Sequence, residues 1–536
     1  MASSEASGCK SELSPLLPSA SAPENHGSCT DSSAIALEDD AKNGIAKPFH
    51  REFAKDVVDT IHLALPIFIS RVSYVGMKTT DTALLGHVSG QALSAAALSD
   101  LWTMCTGVLL QGRILGILVG QSIGAQNHQI ALVYLRISYI ILGLLSVVVM
   151  ISWGYTQKVW EALGQSTVLA KDAGYYSSVF IFMVPAQIGF DQLAQFFSAQ
   201  RIMKPEVVTA LMALIVNLML GLVFVLGMPL PRFDGYGFVA CPIVTVVVDW
   251  FQLIILSTYF NWFLKSDQVW RNIMREVSFA PVEATSSSRS QWNQLFTSLL
   301  DGITKKRITT FSRLYFPAAL SLSSDFWRMG VIGAMAASIG EREVGLFNAS
   351  YRILWITLIF VGALSGASGI KVGLRLGNGN AMGARQAALV GLLLSILLVS
   401  VLSILVYFNS RAFGMVFTND ESYLDLFEEC RLPFCCALFF MNLAVAIETI
   451  PINMGRTGIV FYAGFIASWL GQVPGVYFLT HFWSKDLYAL YTGIAVGYFL
   501  LVFLYGAIVY SSDWQKYAEL AMERAEVKSK PGNSNK

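Results

Sequence analysis

Five carboxylates stand inside apolar stretches of this chain, where an acid requires a chemical reason. Asp81 lies in Thr80-Asp81-Thr82 toward the end of the first apolar segment, Asp325 precedes Arg328 by three residues, and Glu448, Asp100 and Asp191 lie within later segments. In lipid an ionised carboxylate costs about 2.5 to 3.5 kcal/mol on insertion scales, so such a group faces a protein interior or a watery cavity and pairs, binds a cation or carries a proton. For Asp81 the alternative is a cap at a helix end. For Asp325 it is an ion pair with Arg328 on the same helical face. For Glu448 it is a structural hydrogen bond within a bundle. Asp100 and Asp191 line a cavity or pair with Arg113 and Arg136, and Asp249 is placed near the end of its helix. Among the aromatic residues, Trp327 and Tyr351 would suit the wall of a cavity that receives a flat organic cation.

The elements that must position these groups are membrane helices. Of 536 residues, 54% are hydrophobic and 14% charged, against about 25% charged in ordinary soluble proteins. A net charge of +1 without a basic stripe excludes a nucleic-acid partner. Seven cysteines without a CxxC pair offer neither a disulfide framework nor a metal site. Apolar segments of about 20 residues recur, roughly twelve in all, centred near residues 67, 106, 140, 186, 217, 250, 324, 358, 397, 443, 470 and 499. The fold class is therefore all-α, a polytopic membrane protein. Lys47, Arg51, Lys55, Arg201, Lys204, Lys305 to Arg307, Lys371, Arg375 and Arg385 all fall on one side of this arrangement. The positive-inside rule makes that side cytosolic and puts both termini there.

The domain plan is a polar tail at residues 1–50, a six-helix lobe at 51–264, a linker at 265–307, a second six-helix lobe at 308–512 and a tail at 513–536. In the linker, Trp292, Leu295, Phe296, Leu299, Leu300 and Ile303 recur at the spacing of one apolar helix face, predicting an interfacial helix. Gly120-Gln121-Ser122-Ile123-Gly124-Ala125-Gln126-Asn127 after the second helix is echoed by Gly373 to Asn380 after the eighth. An even number of helices per repeat gives both halves the same orientation, hence two lobes about a pseudo-two-fold axis along the membrane normal. Glu12-Leu13-Ser14-Pro15-Leu16-Leu17 has the form of an acidic dileucine sorting signal, which would direct the protein to a vacuolar or endolysosomal membrane; without it the plasma membrane is the expectation.

Asp81 to Ser89, Gly120 to Asn127, Ala199 to Pro205, Gly235 to Trp250 and Gly366 to Arg385, taken together and in order, resemble the multidrug and toxic compound extrusion (MATE) family of its eukaryotic type. The resemblance implies that Asp81 is a cation-coupling acid, accompanied by Asn217 and Thr245 on the fifth and sixth helices, and that Pro66 is the hinge of the first helix. Gly221 stands where family members often place a second polar residue, so a proton suits the site better than sodium. In the second lobe, Ser324-Asp325-Phe326-Trp327 offers the family's seventh-helix acid shortened by a methylene. Ala444 replaces its tenth-helix acid, with Glu448 one turn on. The implied activity is export of organic cations or secondary metabolites by proton-coupled antiport, with alternating access between the lobes. A lipid-linked precursor flippase of the same superfamily, and sodium-coupled or citrate-like anion efflux, are the alternatives. No nucleophile elbow, P-loop or HExxH occurs, so neither catalysis nor nucleotide-driven transport is expected. No cofactor or metal is expected, and the partners are a small-molecule substrate and the bilayer around a monomer.

Overall fold

The computed structural model describes residues 49–228, 233–278, 302–415 and 420–526, and among them every regular element is helical. Residues 53–536 form one unit and residues 1–52 another, of which only the start of the first helix is described. The interfacial helix expected around Trp292 to Ile303 lies almost wholly outside the described residues. Eleven described helical stretches are long and apolar enough to cross a membrane. A twelfth, Lys305–Ile339, has the length but carries Asp325, Arg328 and a run of serines.

In the N-terminal lobe, α1 (Phe49–Val88) continues unbroken through Pro66, although proline lacks the N–H that would bond the carbonyl four residues back. The second crossing is broken into α2 (Gly90–Gly107) and α3 (Ile114–Gly124) by a short 3-10 turn. The break is stabilised from outside: Tyr315 packs where a Cβ on Gly112 would stand and donates to the Leu109 carbonyl at 2.8 Å, satisfying a group that lipid could not. Then follow α4 (His128–Gly154), α5 (Thr167–Phe180) joined to α6 (Val184–Ala199) at Pro185, α7 (Lys204–Phe224) and α8 (Ala240–Ser266).

The second lobe comprises α9 (Lys305–Ile339), α10 (Glu341–Gly377), α11 (Ala381–Phe408), α12 (Arg431–Asn453), a crossing from α13 (Thr457–Phe465) to α14 (Val473–Phe478) containing two π-helical turns, and α15 (Leu487–Tyr510). One apolar core gathers residues from Leu84 to Ala319 and another from Met329 to Ile508. Thus the first turns of α9, through Phe311, Leu314 and Tyr315, pack with the N-terminal lobe while its second half packs with the other.

The repeat is visible in the turns themselves. Before α4 the chain passes through Gln126 at φ 58° and is capped by Asn127, which accepts from the Ile130 amide; before α11 it passes through Gly379 at φ 72° and is capped by Asn380, which accepts from the Gly383 amide. Asn-capped starts satisfy amides that a helix leaves open. Arg201 (φ 65°) and Gly455 (φ 81°) occupy equivalent turns after α6 and α12.

The lobes close on each other at their basic end. Gly120 and Gly124 of α3 face Gly373 and Gly377 of α10; a Cβ on Gly124 would meet the Leu374 carbonyl oxygen at 2.0 Å, and one on Gly377 the Gln121 oxygen at 2.0 Å. Small residues four apart on both helices are what lets their backbones touch. Nearby, buried Asp56 of α1 receives Lys371 at 2.9 Å and Arg375 at 2.6 Å from α10, while Asp59 pairs with Lys371 at 3.5 Å and Arg201 at 2.6 Å.

A final helix, α16 (Trp514–Arg524), lies across this closed end, with Asp513 as its N-cap. Arg524 donates to the Met454 carbonyl at 3.1 Å and to Gln121 Oε1 at 3.3 Å, so one guanidinium touches both lobes. The Arg524 and Ala525 carbonyls accept from Tyr134 at 3.1 Å and Asn127 at 2.9 Å, and Glu526 grips Arg307 through bonds of 2.8 and 2.6 Å.

Candidate functional site

Asp81 lies seven residues inside α1, and so does not cap its end. Its side chain is turned into the lobe with 5% of its surface exposed. Asn217 of α7 donates through Nδ2 to Asp81 Oδ1 at 2.9 Å, and Thr245 of α8 donates to Oδ2 at 3.0 Å. Asp81 thus meets at one point two residues that follow it by 136 and 164 positions. Thr245 has a second acceptor available, the Cys241 carbonyl at 3.2 Å. A Cβ on Gly221 would stand 2.3 Å from Leu84 Cδ1. The place where a further ligand would sit is therefore filled by an apolar side chain of α1, and no oxygen is supplied from it.

One turn before Asp81 on the same face stands Lys78, a residue the reading of the sequence passed over. Its ammonium pairs with Asp100 of α2 at 3.6 Å and sits 4.8 Å from the centre of the Phe180 ring. Asp100 is thus held by Lys78, not by the arginines expected to pair with it. Asp249 also corrects an expectation: α8 continues to Ser266, so Asp249 lies within the crossing, where Gln252 donates to it at 3.3 Å and Lys78 is in electrostatic reach. The aromatic continuation of that helix, Phe251 to Phe263, had blurred its end. Asp191 of α6 and Glu206 of α7 share the fields of Arg113 and, for Glu206, of Arg71. Neither acid makes an ion pair among the described residues. Lys78, Asp100, Asp191, Glu206 and Asp249 all remain half-buried, so the N-terminal lobe presents a wall of mixed charge, with Asp81 recessed behind it.

Across from it, Asp325 makes the ion pair that its spacing allowed, with Arg328 at 3.1 Å. Arg328 is the buried member: it donates to Ser468 at 2.9 Å and Tyr498 at 3.3 Å, and its guanidinium lies 5.0 Å from the Tyr498 ring centre. The π-helical turn in the α13–α14 crossing brings Ser468 and Trp469 to this point, and Trp469 donates to Ser324 at 2.7 Å. Glu448 of α12 stands in the field of Asp325 and Arg328 without an ion pair of its own among the described residues. Trp327 reaches over to α2, its indole N–H 3.3 Å from the Cys105 carbonyl, and Tyr351 stacks with Phe347 and meets Trp355 edge-on. Pro66 is on α1, five residues from Arg71. Among the described residues no group of three His, Cys, Asp or Glu side chains is arranged to hold a metal ion.

The fold and several sequences agree on kinship. The MatE family model matches residues 66–223 and 317–478, one match per lobe and more than half of the chain, each beginning at the proline inside the first helix of its lobe. Multidrug and toxin extrusion protein 1 of Danio rerio is 24% identical over 487 residues, covering 89% of this chain and 75% of its own. Protein DETOXIFICATION 14 of Arabidopsis thaliana is 22% identical over 503 residues, covering 91% and 96%. Among solved structures, the eukaryotic MATE transporter AtDTX14 superposes with a TM-score of 0.74 at 20% identity, over 88% of this chain and 99% of that one. A MATE transporter in the bent conformation superposes with a TM-score of 0.69 at 15% identity, over 88% and 97%. The chain belongs to the MatE family of membrane transporters, and it is a transporter and not an enzyme.

Proposed function

We propose that this transporter exports small organic compounds in exchange for protons, with the basic end of the lobes and both termini in the cytosol. The observation that carries the reading is the Asp81 site. In the ionised state both carboxylate oxygens accept, one from Asn217 and one from Thr245. In the protonated state Oδ2–H donates to Thr245 Oγ1, and the Thr245 hydroxyl turns to the Cys241 carbonyl, already within 3.2 Å. Every donor among these three side chains keeps an acceptor in both states, so a proton enters or leaves without stranding a further buried donor, which would cost about 1 to 3 kcal/mol. A sodium ion would instead call for several more oxygens, and Leu84 occupies the position beside Gly221 from which one would come.

Protonation removes the charge one turn from Lys78 and leaves that ammonium to Asp100 and Asp249. The charge pattern of the cavity wall then differs between the two states, and a substrate that binds them unequally shifts the equilibrium between lobe arrangements. The present arrangement, closed at the basic end, is the one in which Asp81 exchanges protons with the far side. A lipid-phosphate flippase would need uncompensated cations on both walls; Arg328 is engaged by Asp325, and the acids of the first wall outnumber its bases, which favours export of compounds carrying a cationic group. The test is pH-gradient-driven efflux of a tetraalkylammonium from proteoliposomes: Asp81→Asn is expected to abolish the gradient dependence, and undiminished proton-driven efflux in that variant would sink the proposal.

A further inference from the structure

Resting on that reading, the structure assigns a second recognition element to the same cavity: we infer that Arg71 of α1 forms, with the glycine face of α10, a subsite for an anionic group, so that the transported compounds are amphoteric and carry a carboxylate or similar anion. Arg71 lies between Pro66 and Asp81, at membrane depth. Its side chain crosses from the first lobe to the second. Its Nη1 occupies the space 2.1 Å from where a Cβ of Gly362 would be, and its Nη2 comes within 3.9 Å of the corresponding point at Gly366. Two glycines four residues apart on α10 thus make a flat seat for a planar guanidinium.

What the guanidinium lacks is a partner. Its Nε is buried with no hydrogen-bond acceptor, and among the described residues Arg71 makes no ion pair. The charges that act on it are a second cation, Arg113, and a single acid, Glu206, which makes no ion pair with it. Other cations within the helices are paired directly: Arg328 with Asp325, Lys78 with Asp100, and Lys371 and Arg375 with Asp56. An arginine in the membrane normally lies against an acid or backbone carbonyls, and its five donors in a rigid fork match a carboxylate bidentately. A substrate anion placed between α1 and α10 satisfies Arg71, while the cationic end of the same molecule meets Asp191, Glu206 or Asp249. Because Gly362 and Gly366 belong to the opposite lobe, the subsite is complete only in this arrangement of the lobes, and rocking them apart dismantles it.

The test uses the full-length purified transporter and a matched pair of probes, naphthalene-2-carboxylate and naphthalene-2-carboxamide, with binding followed by calorimetry. The wild type is expected to bind the carboxylate at least about tenfold more tightly than the amide, because only the anion forms a charge-assisted bidentate pair. Arg71→Gln should bring the two affinities together. Arg71→Lys should retain part of the preference, since a lysine keeps the charge but loses the fork. Gly362→Ala, which leaves Arg71 in the chain but displaces it from its seat, should lose the preference as Arg71→Gln does, and it carries the test if Arg71→Gln does not fold. Equal affinities in the wild type, or a carboxylate preference untouched by Arg71→Gln and Gly362→Ala, would overturn the inference. Proton-driven uptake of the carboxylate separates the two readings: a probe that binds through Arg71 but is not moved counts against the transport mechanism and leaves the subsite standing.

Discussion

At the scale of single residues, the Asp81 site turns on one hydroxyl. Thr245→Val keeps shape and volume but removes the donor that turns between Asp81 and Cys241. Loss of a hydrogen bond to a charged group costs about 1.5 to 3 kcal/mol, so proton-driven exchange should fall roughly ten- to hundredfold, measured as initial efflux rates, with Thr245→Ser restoring most of it. Unaltered rates in Thr245→Val would show that the hydroxyl takes no part. The convergence of Asp81, Asn217 and Thr245 was legible because one polar residue in each of three apolar helices, matched to a family pattern, leaves little freedom in where they meet. Lys78, Arg71 and Glu206 were not. Each is one charge near a helix whose facing direction depends on packing, and a one-dimensional pattern carries no information on which lysine looks inward. Asp325 and Arg328 sit between these cases: their spacing allowed an ion pair, but the depth of Arg328 depends on a π-helical turn 140 residues later that periodicity does not announce.

At the scale of elements, the crossing of α3 and α10 is a tightly constrained contact. A methyl group on Gly124 or Gly377 would stand 2.0 Å from a backbone oxygen of the opposite helix, which neither helix can accommodate without moving away. Overpacking of this kind costs about 1 to 3 kcal/mol. Gly124→Ala or Gly377→Ala should therefore favour arrangements in which the basic end is open, seen as a longer distance between spin labels placed on α3 and α10. The two tandem Gly-x-x-x-Gly runs were visible as an internal echo; that they touch each other required the fold. The helix α16 was equally open to view, since Trp514, Tyr517, Ala518, Ala521 and Ala525 recur on one face. The domain plan nonetheless assigns these residues to a tail. At its end Arg307 holds the Glu526 carboxyl below the usual carboxylate range. A depressed carboxylate contributes its attachment above its ordinary pKa and loses it as pH falls through the lowered value. Docking of α16 should thus be insensitive to pH near neutrality and weaken only in strong acid. A fluorophore on Gln515→Cys reports it, and Glu526→Gln should remove the acid-dependent part of that release.

At the scale of the whole molecule, the duplicated architecture was readable from segment number, the distribution of Lys and Arg, and the repeated Gly-rich turns, since these follow from bilayer thickness and insertion energetics. How the halves fasten was not. Asp56, Lys371 and Arg375 looked like ordinary flanking charges, yet Asp56 and Lys371 keep only 5% and 3% of their surface. Leaving one member of such a buried group without its partner costs about 3 to 5 kcal/mol. Asp56→Asn, which takes from Lys371 and Arg375 the buried carboxylate they share, should lower thermal stability more than Asp56→Asn combined with Lys371→Met, as measured by unfolding in detergent. Equal loss in both would mean that the charges are not coupled. The same network must open for the lobes to rock, so the double variant should also spend more time open at the basic end.

The position of α16 has a consequence for biogenesis. Its residues emerge from the ribosome after both lobes, yet its last turn reaches Gln121, Asn127 and Tyr134 of the first lobe and Met454 of the second. A nascent chain with all its crossings inserted still lacks this fastening until α16 itself has emerged. A message cut short before Trp514 would yield two complete lobes whose seam at the basic end was never sewn.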